Sequence, residues 1–555
     1  MTVSVFPPKR GDVGHFSTAF ALQQDNWNDY SFQTLYHLYY RQADASSSPT
    51  MIGAVKILRR GQTKADGIQI NAPFEQLATD FCSVGISLDY YQRLNEIPPS
   101  DRNEILASLR DIVAQPGLQD EFREQEGWGV SLFRDNPDPD EFLADAAAIY
   151  SSNYAALPDL QLSLTFHPAR WAAPLALHFD APLPIFYTGP QRRIGPSGRQ
   201  VLLPRRMIVV IGRNGSGKST LLSRLARVAF SSPSDRSRPE IQAIGVFEPI
   251  SVGFIRIIAI SYSAFDNFIV PGLYETELRQ IAADIEKGTG RYIYAGLRDI
   301  VAEVRDDLNA VSQRPVPQDQ RGILNAEDRR TTTRLKSLVQ LAEEFERLVG
   351  QITANGDDAL FDAALKPVLA DPSFADLESR NRLELFGSNP REAFLGWSTG
   401  HKIALHVIAS LVAHATRKSL VLFDEPEMHL HPPLIAALMH AVRMVLEEKN
   451  AFAIIATHSP VILQETLARH VRIVRRIGDS FEVIMPGMET FGENVGVLTY
   501  DTFGLTAAST DFHQVLDLLV AGFPTVDAIN ELFMPRLSAQ ALAYVRAGLA
   551  RKDRQ

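Results

Sequence analysis

Residues 212–219 read Gly-Arg-Asn-Gly-Ser-Gly-Lys-Ser and fit G-x-x-x-x-G-K-[ST], the pattern of a phosphate-binding loop. The flanks agree with the letters. Met207 to Ile211 is a short apolar run of β character, and Thr220 to Val228 is helical, with Leu221, Leu225 and Val228 on one face. Strand, loop and helix N-terminus together point backbone N–H groups at a polyphosphate. Gly212, Gly215 and Gly217 let the backbone approach closely and take positive φ, and Asn214 and Ser216 complete the loop. In this pattern Lys218 bridges the β- and γ-phosphates and Ser219 holds Mg²⁺. A chain with this element folds as an α/β P-loop protein.

Two further strand ends carry chemistry. Ser419 to Phe423 is apolar and runs into Asp424, Glu425 and Pro426, where the proline stops the strand. Asp424 suits a Mg²⁺-organising carboxylate, and Glu425, one residue later, projects differently and reaches an attacking water as general base. Phe452 to Ala456 is a second buried strand, ending in Thr457, His458 and Ser459. The chain between them has room for one crossover helix, so His458 lies at the C-terminal edge of the same parallel sheet, where open α/β sheets bind ligands.

Gly396-Trp397-Ser398-Thr399-Gly400-His401-Lys402 precedes a helical run from Ile403 to Leu411. It resembles the LSGGQ signature of ABC-type ATPases, in the form used by the SMC and OLD-like branch, with Trp397 for Leu and Thr399 for the first Gly. His458 resembles that family's switch histidine. Glu427-Met428-His429-Leu430-His431-Pro432-Pro433 occupies the D-loop position in the form typical of OLD and Septu-type defence ATPases. The segment from Thr490 to Leu505, with Asp511, Phe512 and His513, resembles Septu-type tails. The resemblance implies an ABC-type fold, a mixed sheet flanked by helices. It implies ATP and Mg²⁺ as ligands and hydrolysis by Glu425, His458 and Lys218, with Thr220 also on phosphate and Ser219 and Asp424 on the metal. It further implies a homodimer or higher oligomer that sandwiches ATP, with Ser398 and Gly400 supplied by the opposing protomer, and a separate nuclease effector in anti-phage defence, with nucleic acid a further partner. One element departs from the family pattern. After Arg256–Ile260, where a Q-loop glutamine belongs, the chain reads Ser261-Tyr262-Ser263-Ala264-Phe265-Asp266-Asn267, leaving Asp266 or Asn267 for that contact.

The 555 residues divide into an N-terminal α+β accessory region (1–159), a first ATPase part (160–272), a helical insertion lobe (273–390), a second ATPase part (391–485) and a helical tail (486–555). Strands are expected at 32–40 and 51–58, a helix capped by Ser100, and a long helix from Ala326 through Leu348. The insertion is too short for an SMC coiled-coil arm and lacks heptads. His429 and His431 read as interface loop packing rather than a metal site. The net charge of −10 argues against whole-surface nucleic-acid binding, but Arg192, Arg193, Arg199, Arg205 and Arg206 form one basic cluster and Arg472, Arg475 and Arg476 another. The single cysteine, Cys82, fits a reducing compartment, and there is neither a signal-peptide pattern nor a membrane-length apolar run, so the expected location is the cytoplasm. TOPRIM, HNH and PD-(D/E)xK nuclease patterns are not found. A DNA-repair ATPase and an ATP-locked scaffold are the alternative functions; a transporter subunit fits less well.

Overall fold

The computed structural model describes residues 2–8, 16–26, 29, 31–41, 49–95, 97–134, 136, 138–151, 162–169, 171, 173–179, 193–194, 200–201, 204–231, 236, 238–250, 252–272, 275–312, 330–372, 374, 389–478, 480–503 and 511–552. The N-terminal region builds one sheet in chain order from β1 (Val3–Phe6), β2 (Phe20–Gln24), β3 (Leu35–Tyr40), β4 (Thr50–Arg59) and β5 (Phe81–Gly85). Helices Leu88–Asn95, Pro99–Ser108 and Pro139–Ser151 close over it around Leu38, Val55, Tyr91, Ile105 and Ile149. The helix expected from a Ser100 cap starts two residues earlier, with Pro98 at its N-cap and Pro99 fixing φ for the first turn. Ile112 and Val113 lie beyond its end.

Twelve further strands follow in chain order. β6 (Ser163–Pro168), β7 (Leu175–His178) and, later in the chain, β11 (Gly245–Glu248) form an antiparallel three-stranded sheet, and β8 (Arg193–Ile194) pairs with β9 (Gln200–Val201). The central sheet comprises β10 (Met207–Ile211), β12 (Ile257–Ser261), β13 (Tyr292–Gly296), β14 (Leu420–Asp424), β15 (Phe452–Thr457), β16 (Val471–Ile477) and β17 (Ser480–Ile484). Its order is β13-β12-β14-β15-β10-β16-β17, parallel except for the last pair. The pairing register aligns the strand ends. Ser261 is level with Asp424, Asp424 with Ala456, and Ile211 with Thr457, so the loops after four adjacent strands open on one edge.

Both faces of the sheet are covered, and so the strands are apolar throughout rather than alternating with polar residues. Val209, Ile211, Ile260, Val421, Phe423 and Ile455 face helices Leu338–Asn355, Asp358–Leu369, Thr399–His414 and Pro432–Lys449. Ile208, Val210, Leu420, Leu422, Ile454 and Ala456 face helix Lys218–Phe230, helices Glu275–Lys287 and Ile300–Ser312, and the three-stranded sheet. The segment 273–390 is therefore not purely a helical lobe, because Tyr292–Gly296 forms the edge strand of the central sheet. Of the helix expected over 326–348, residues 330–337 are not helical, and 326–329 lie outside the described residues. The helix begins at Leu338, where Ser337 and Gln340 form a reciprocal capping box, and ends at Gly356 with φ 75°.

Buried ion pairs fasten the N-terminal region to the sheet. Asp145 meets Arg417 at 3.2 Å, each side chain 4% exposed, and Arg93 meets Asp284 at 3.1 Å. The cluster of Arg472, Arg475 and Arg476 breaks up, and the described members of the other are paired. Arg205 and Arg206 pair with Glu447, and Arg472 is buried and donates to the carbonyls of Ala176 and Arg469, while Arg475 and Arg476 stay exposed. Arg192, Arg193 and Arg199 lie outside the described side chains. Among the described residues, no helix is long and apolar enough to cross a membrane.

Candidate nucleotide site

The loop after β10 folds as its glycines require. Gly215 and Gly217 have φ of 78° and 84°, and a Cβ on Gly217 would meet the Phe481 ring at 2.9 Å. Gly212 packs its backbone under Val474, whose carbonyl would lie 2.3 Å from a Cβ there. Ser216 is buried beside it. Lys218 opens helix Lys218–Phe230 and folds back, donating to the carbonyls of Gly212 (2.9 Å) and Arg213 (3.3 Å). Burial lowers its pKa, opposed by the charges of Glu425 and Asp424. A cleft of about 410 Å³ opens here, lined by Asn214, Gly215, Gly217, Lys218, Ser219, Thr220 and Glu425. On the other flank of the loop a wider cleft of about 1130 Å³ is lined by Arg213, Ser216, Val474, Arg475, Arg476 and Thr502, among others.

Asp424 ends β14 with its carboxylate buried, and Ser219 Oγ donates to its Oδ1 at 3.1 Å. Burial first, then the neighbouring charges of Glu425 and Asp266, push the Asp424 carboxyl up to about 8. A hydroxyl and a buried carboxylate that needs an adjacent cation to ionise form a donor set that fits Mg²⁺. Glu425 has φ 48°, an uncommon conformation for a residue with a side chain, and its N–H donates to Ala456. This turn separates the two acids, leaving Asp424 under Ser219 and bringing Glu425 to the cleft. The His458 imidazole, 3.7 Å away, holds the Glu425 carboxyl below its ordinary value, against the effect of burial.

His458 follows β15 and is 42% exposed at its side chain. Its Nδ1 lies 3.1 Å from Glu427 Oε1 and 3.7 Å from Glu425 Oε1. Glu425 raises its pKa above the usual 6.5, burial opposes the rise, and the Glu427 charge adds to it. Glu427 was not singled out as a site residue from sequence, yet it organises this corner. It accepts from Thr457 Oγ1 through both oxygens at 2.8 Å and from the His458 N–H at 2.7 Å. The second acid of Glu425-Pro426-Glu427 was the signal that could have found it. His431 caps helix Pro432–Lys449 through Nδ1 and approaches Asp371 at 3.5 Å, and His429 takes φ 64° in the turn before it.

Ser398 and Gly400 do not line the cleft of their own chain. Ser398 is the N-cap of helix Thr399–His414, accepting from the His401 N–H at 3.3 Å, and is exposed. Gly400 sits against the D-loop position, where a Cβ would come 3.1 Å from the His429 carbonyl. Trp397, in place of leucine, packs edge-on to Phe345 and Phe394. Neither Asp266 nor Asn267 lines the cleft: Asp266 is buried against Arg298 (3.2 Å) and Tyr294 (3.0 Å), and Asn267 bonds to Arg330.

A family profile described as "AAA domain, putative AbiEii toxin, Type IV TA system" matches residues 207–464, from β10 to the helix after His458. Together with the strand order, this decides the fold. It is that of an ABC-type P-loop ATPase. Over nearly its whole length the chain is also similar to protein ea59 of Escherichia phage lambda, 29% identical over 559 residues, covering 96% of this chain and 95% of that protein. Solved structures of similar architecture include cbiO1 of Clostridium perfringens (14% identity, 52% of this chain and 79% of that one, TM-score 0.21). The SmcHead bound to the C-winged helix domain of ScpA is another (12%, 59% and 97%, 0.25), as is MJ1267, an ABC-transporter cassette (12%, 62% and 96%, 0.25). These scores are too low to carry an argument.

Proposed function

We propose that this protein hydrolyses Mg²⁺-ATP at a site completed by a second copy of the chain. The observation that carries the reading is the division of the site. Lys218, Ser219, Asp424, Glu425 and His458 gather at one sheet edge, while Ser398 and Gly400 sit at an exposed helix N-terminus outside that cleft. A helix N-terminus with a small hydroxyl residue favours an anion, and a γ-phosphate bound to a partner supplies one. Lys218 exchanges its loop carbonyls for phosphate oxygens, and Thr220 and the loop N–H groups orient the chain of phosphates. Glu425, ionised at neutral pH, aligns the water, and His458, held by Glu427, reads the terminal phosphate. When bound, Mg²⁺ neutralises charge on the phosphate oxygens, and Ser219 and Asp424 are the residues to hold it.

The test is the solution mass of Glu425→Gln with and without Mg²⁺-ATP. A doubling on ATP addition, lost in Ser398→Arg, is expected. A constant monomer mass overturns the shared site. Wild-type protein that does not turn over ATP overturns the enzymatic reading.

In the finer reading, the ATPase drives or gates a separate nuclease in cytoplasmic anti-phage defence. Its support is the Septu-like wording of residues 427–433 and 490–513. ATP-dependent nuclease activity on reconstitution with a co-encoded partner tests it. The exposed Arg475 and Arg476 beside the loop favour a second reading, a DNA-repair ATPase, which stimulation by duplex DNA alone would select.

A further inference from the structure

A buried polar chain joins the strand that ends beside Asp424 to the helix that begins after Ser398. Tyr262 directly follows Ser261, the residue level with Asp424, and is 4% exposed. Its hydroxyl lies 2.6 Å from His406 Nδ1, with the two rings edge to face. His406 is about two turns into helix Thr399–His414 and is 1% exposed. Its Nε2 faces Glu344 Oε2 at 3.9 Å, and Glu344 in turn accepts from Lys336 Nζ at 2.6 Å. Burial pushes His406 down to about 4, so the ring is neutral at pH 7. Nδ1 accepts the tyrosine proton, and Nε2 carries the ring's own proton.

That Nε2–H has no hydrogen-bond partner, because 3.9 Å is beyond hydrogen-bond reach. A buried donor left short of a facing carboxylate is unfavourable. Sliding helix Thr399–His414 by about an ångström toward helix Leu338–Asn355 would close the gap. An apolar pair would fill the same space without this cost, so the polar chain specifies a relation between two elements rather than adding cohesion. The two elements are the β12 end, beside the metal-organising acid, and the helix that presents Ser398 and Gly400. The residues that sequence offered for a Q-loop contact, Asp266 and Asn267, are committed elsewhere.

We propose that Tyr262 and His406 are positioning residues that couple the Asp424 end of the nucleotide site to the placement of the helix carrying Ser398 and Gly400. The proposal rests on the shared-site reading above. Neither side chain lines the nucleotide cleft. Nucleotide loading displaces the β12–β14 edge, Tyr262 carries His406 with it, and the helix settles where Nε2–H reaches Glu344.

The experiment compares full-length wild type, Tyr262→Phe, His406→Leu, His406→Asn and the Tyr262→Phe/His406→Leu pair. It reads thermal midpoint, binding of a fluorescent ATP analogue in Mg²⁺, steady-state kcat and KM, and the ATP-dependent mass change in a Glu425→Gln background. Tyr262→Phe is expected to lower the midpoint by no more than a few degrees, because Nδ1 loses its buried donor, and to keep nucleotide affinity within about twofold while kcat falls about tenfold, the effect of one buried hydrogen bond. ATP-dependent association is expected to weaken in parallel. The double variant should be no worse than His406→Leu, since the two act as one unit. His406→Asn, whose Oδ1 replaces the Nδ1 acceptor, should recover part of kcat. Unchanged kcat in Tyr262→Phe, or fully additive losses in the pair, overturns the coupling while leaving the ATPase reading intact. Wild type without turnover overturns both.

Discussion

Glu427→Gln isolates what the acid beside His458 contributes. In the folded protein one carboxylate accepts from Thr457 Oγ1 and from the His458 N–H, and lies 3.1 Å from His458 Nδ1. Thr457 is fully buried, so its hydroxyl has no solvent to fall back on. A glutamine retains one acceptor oxygen but turns an NH₂ group toward a second donor. Replacing charge-assisted bonds by neutral ones at this spot costs about 1–2 kcal/mol. The imidazole is 42% exposed, so solvent screens its attraction to Glu427, and that ion pair contributes only about 0.5–1 kcal/mol, or roughly half a pH unit. The sign follows from the direction of the shift. Glu425 and Glu427 raise the His458 pKa above 6.5, so removing one negative charge lowers it. For the same reason, the stability that these carboxylates confer through His458 is fully present below its unfolded pKa and is lost as pH rises through the folded value. The assay is kcat for ATP hydrolysis from pH 5.5 to 9, with the histidine inflection identified by its loss in His458→Ala. In Glu427→Gln the inflection should move to lower pH by roughly half a unit and the plateau should fall about tenfold. An inflection that stays put or moves to higher pH would refute this account of the site.

Asp145→Ala should leave Arg417 buried without its carboxylate and destabilise the junction between the N-terminal region and the sheet by about 3–5 kcal/mol. Urea unfolding followed by tryptophan fluorescence checks this, and a change under about 1 kcal/mol would mean that the pair is not effectively buried. Gly217→Ala puts a Cβ at φ 84° and 2.9 Å from Phe481, costing about 1–2 kcal/mol from backbone conformation alone. Nucleotide binding, read by a fluorescent ATP analogue, should be lost, and near-normal affinity would contradict the loop geometry described.

Local signals survived into the structure wherever the physics was local. The phosphate loop needs positive φ at particular glycines, and its flanking strand and helix are short-range patterns, so Gly215, Gly217, Lys218 and Ser219 were legible as a unit. The apolar runs ending at Asp424 and Thr457 read as buried strands because both faces of the sheet are covered. Where capping decided the outcome, the periodicity reading placed a helix start too early: at residues 326–338 the Ser337 box sets the start.

Other features depend on residues far apart in the chain. Tyr292–Gly296 could not be read as a sheet edge, because its partner β12 lies beyond an intervening helix and any buried apolar run of that length looks alike. The roles of Glu427, Asp266 and His406 arise from meetings across the chain, with Thr457 and His458, with Arg298, and with Tyr262. The sequence by itself determined which residue types stand at the ends of which strands, because strand, turn and helix signals are written in neighbours. Only the tertiary structure decided which of those residues share a site. Strand order and register bring Asp424, Thr457 and Ile211 to one edge and keep Ser398 and Gly400 off their own cleft, and both are set by packing between elements rather than by local propensity.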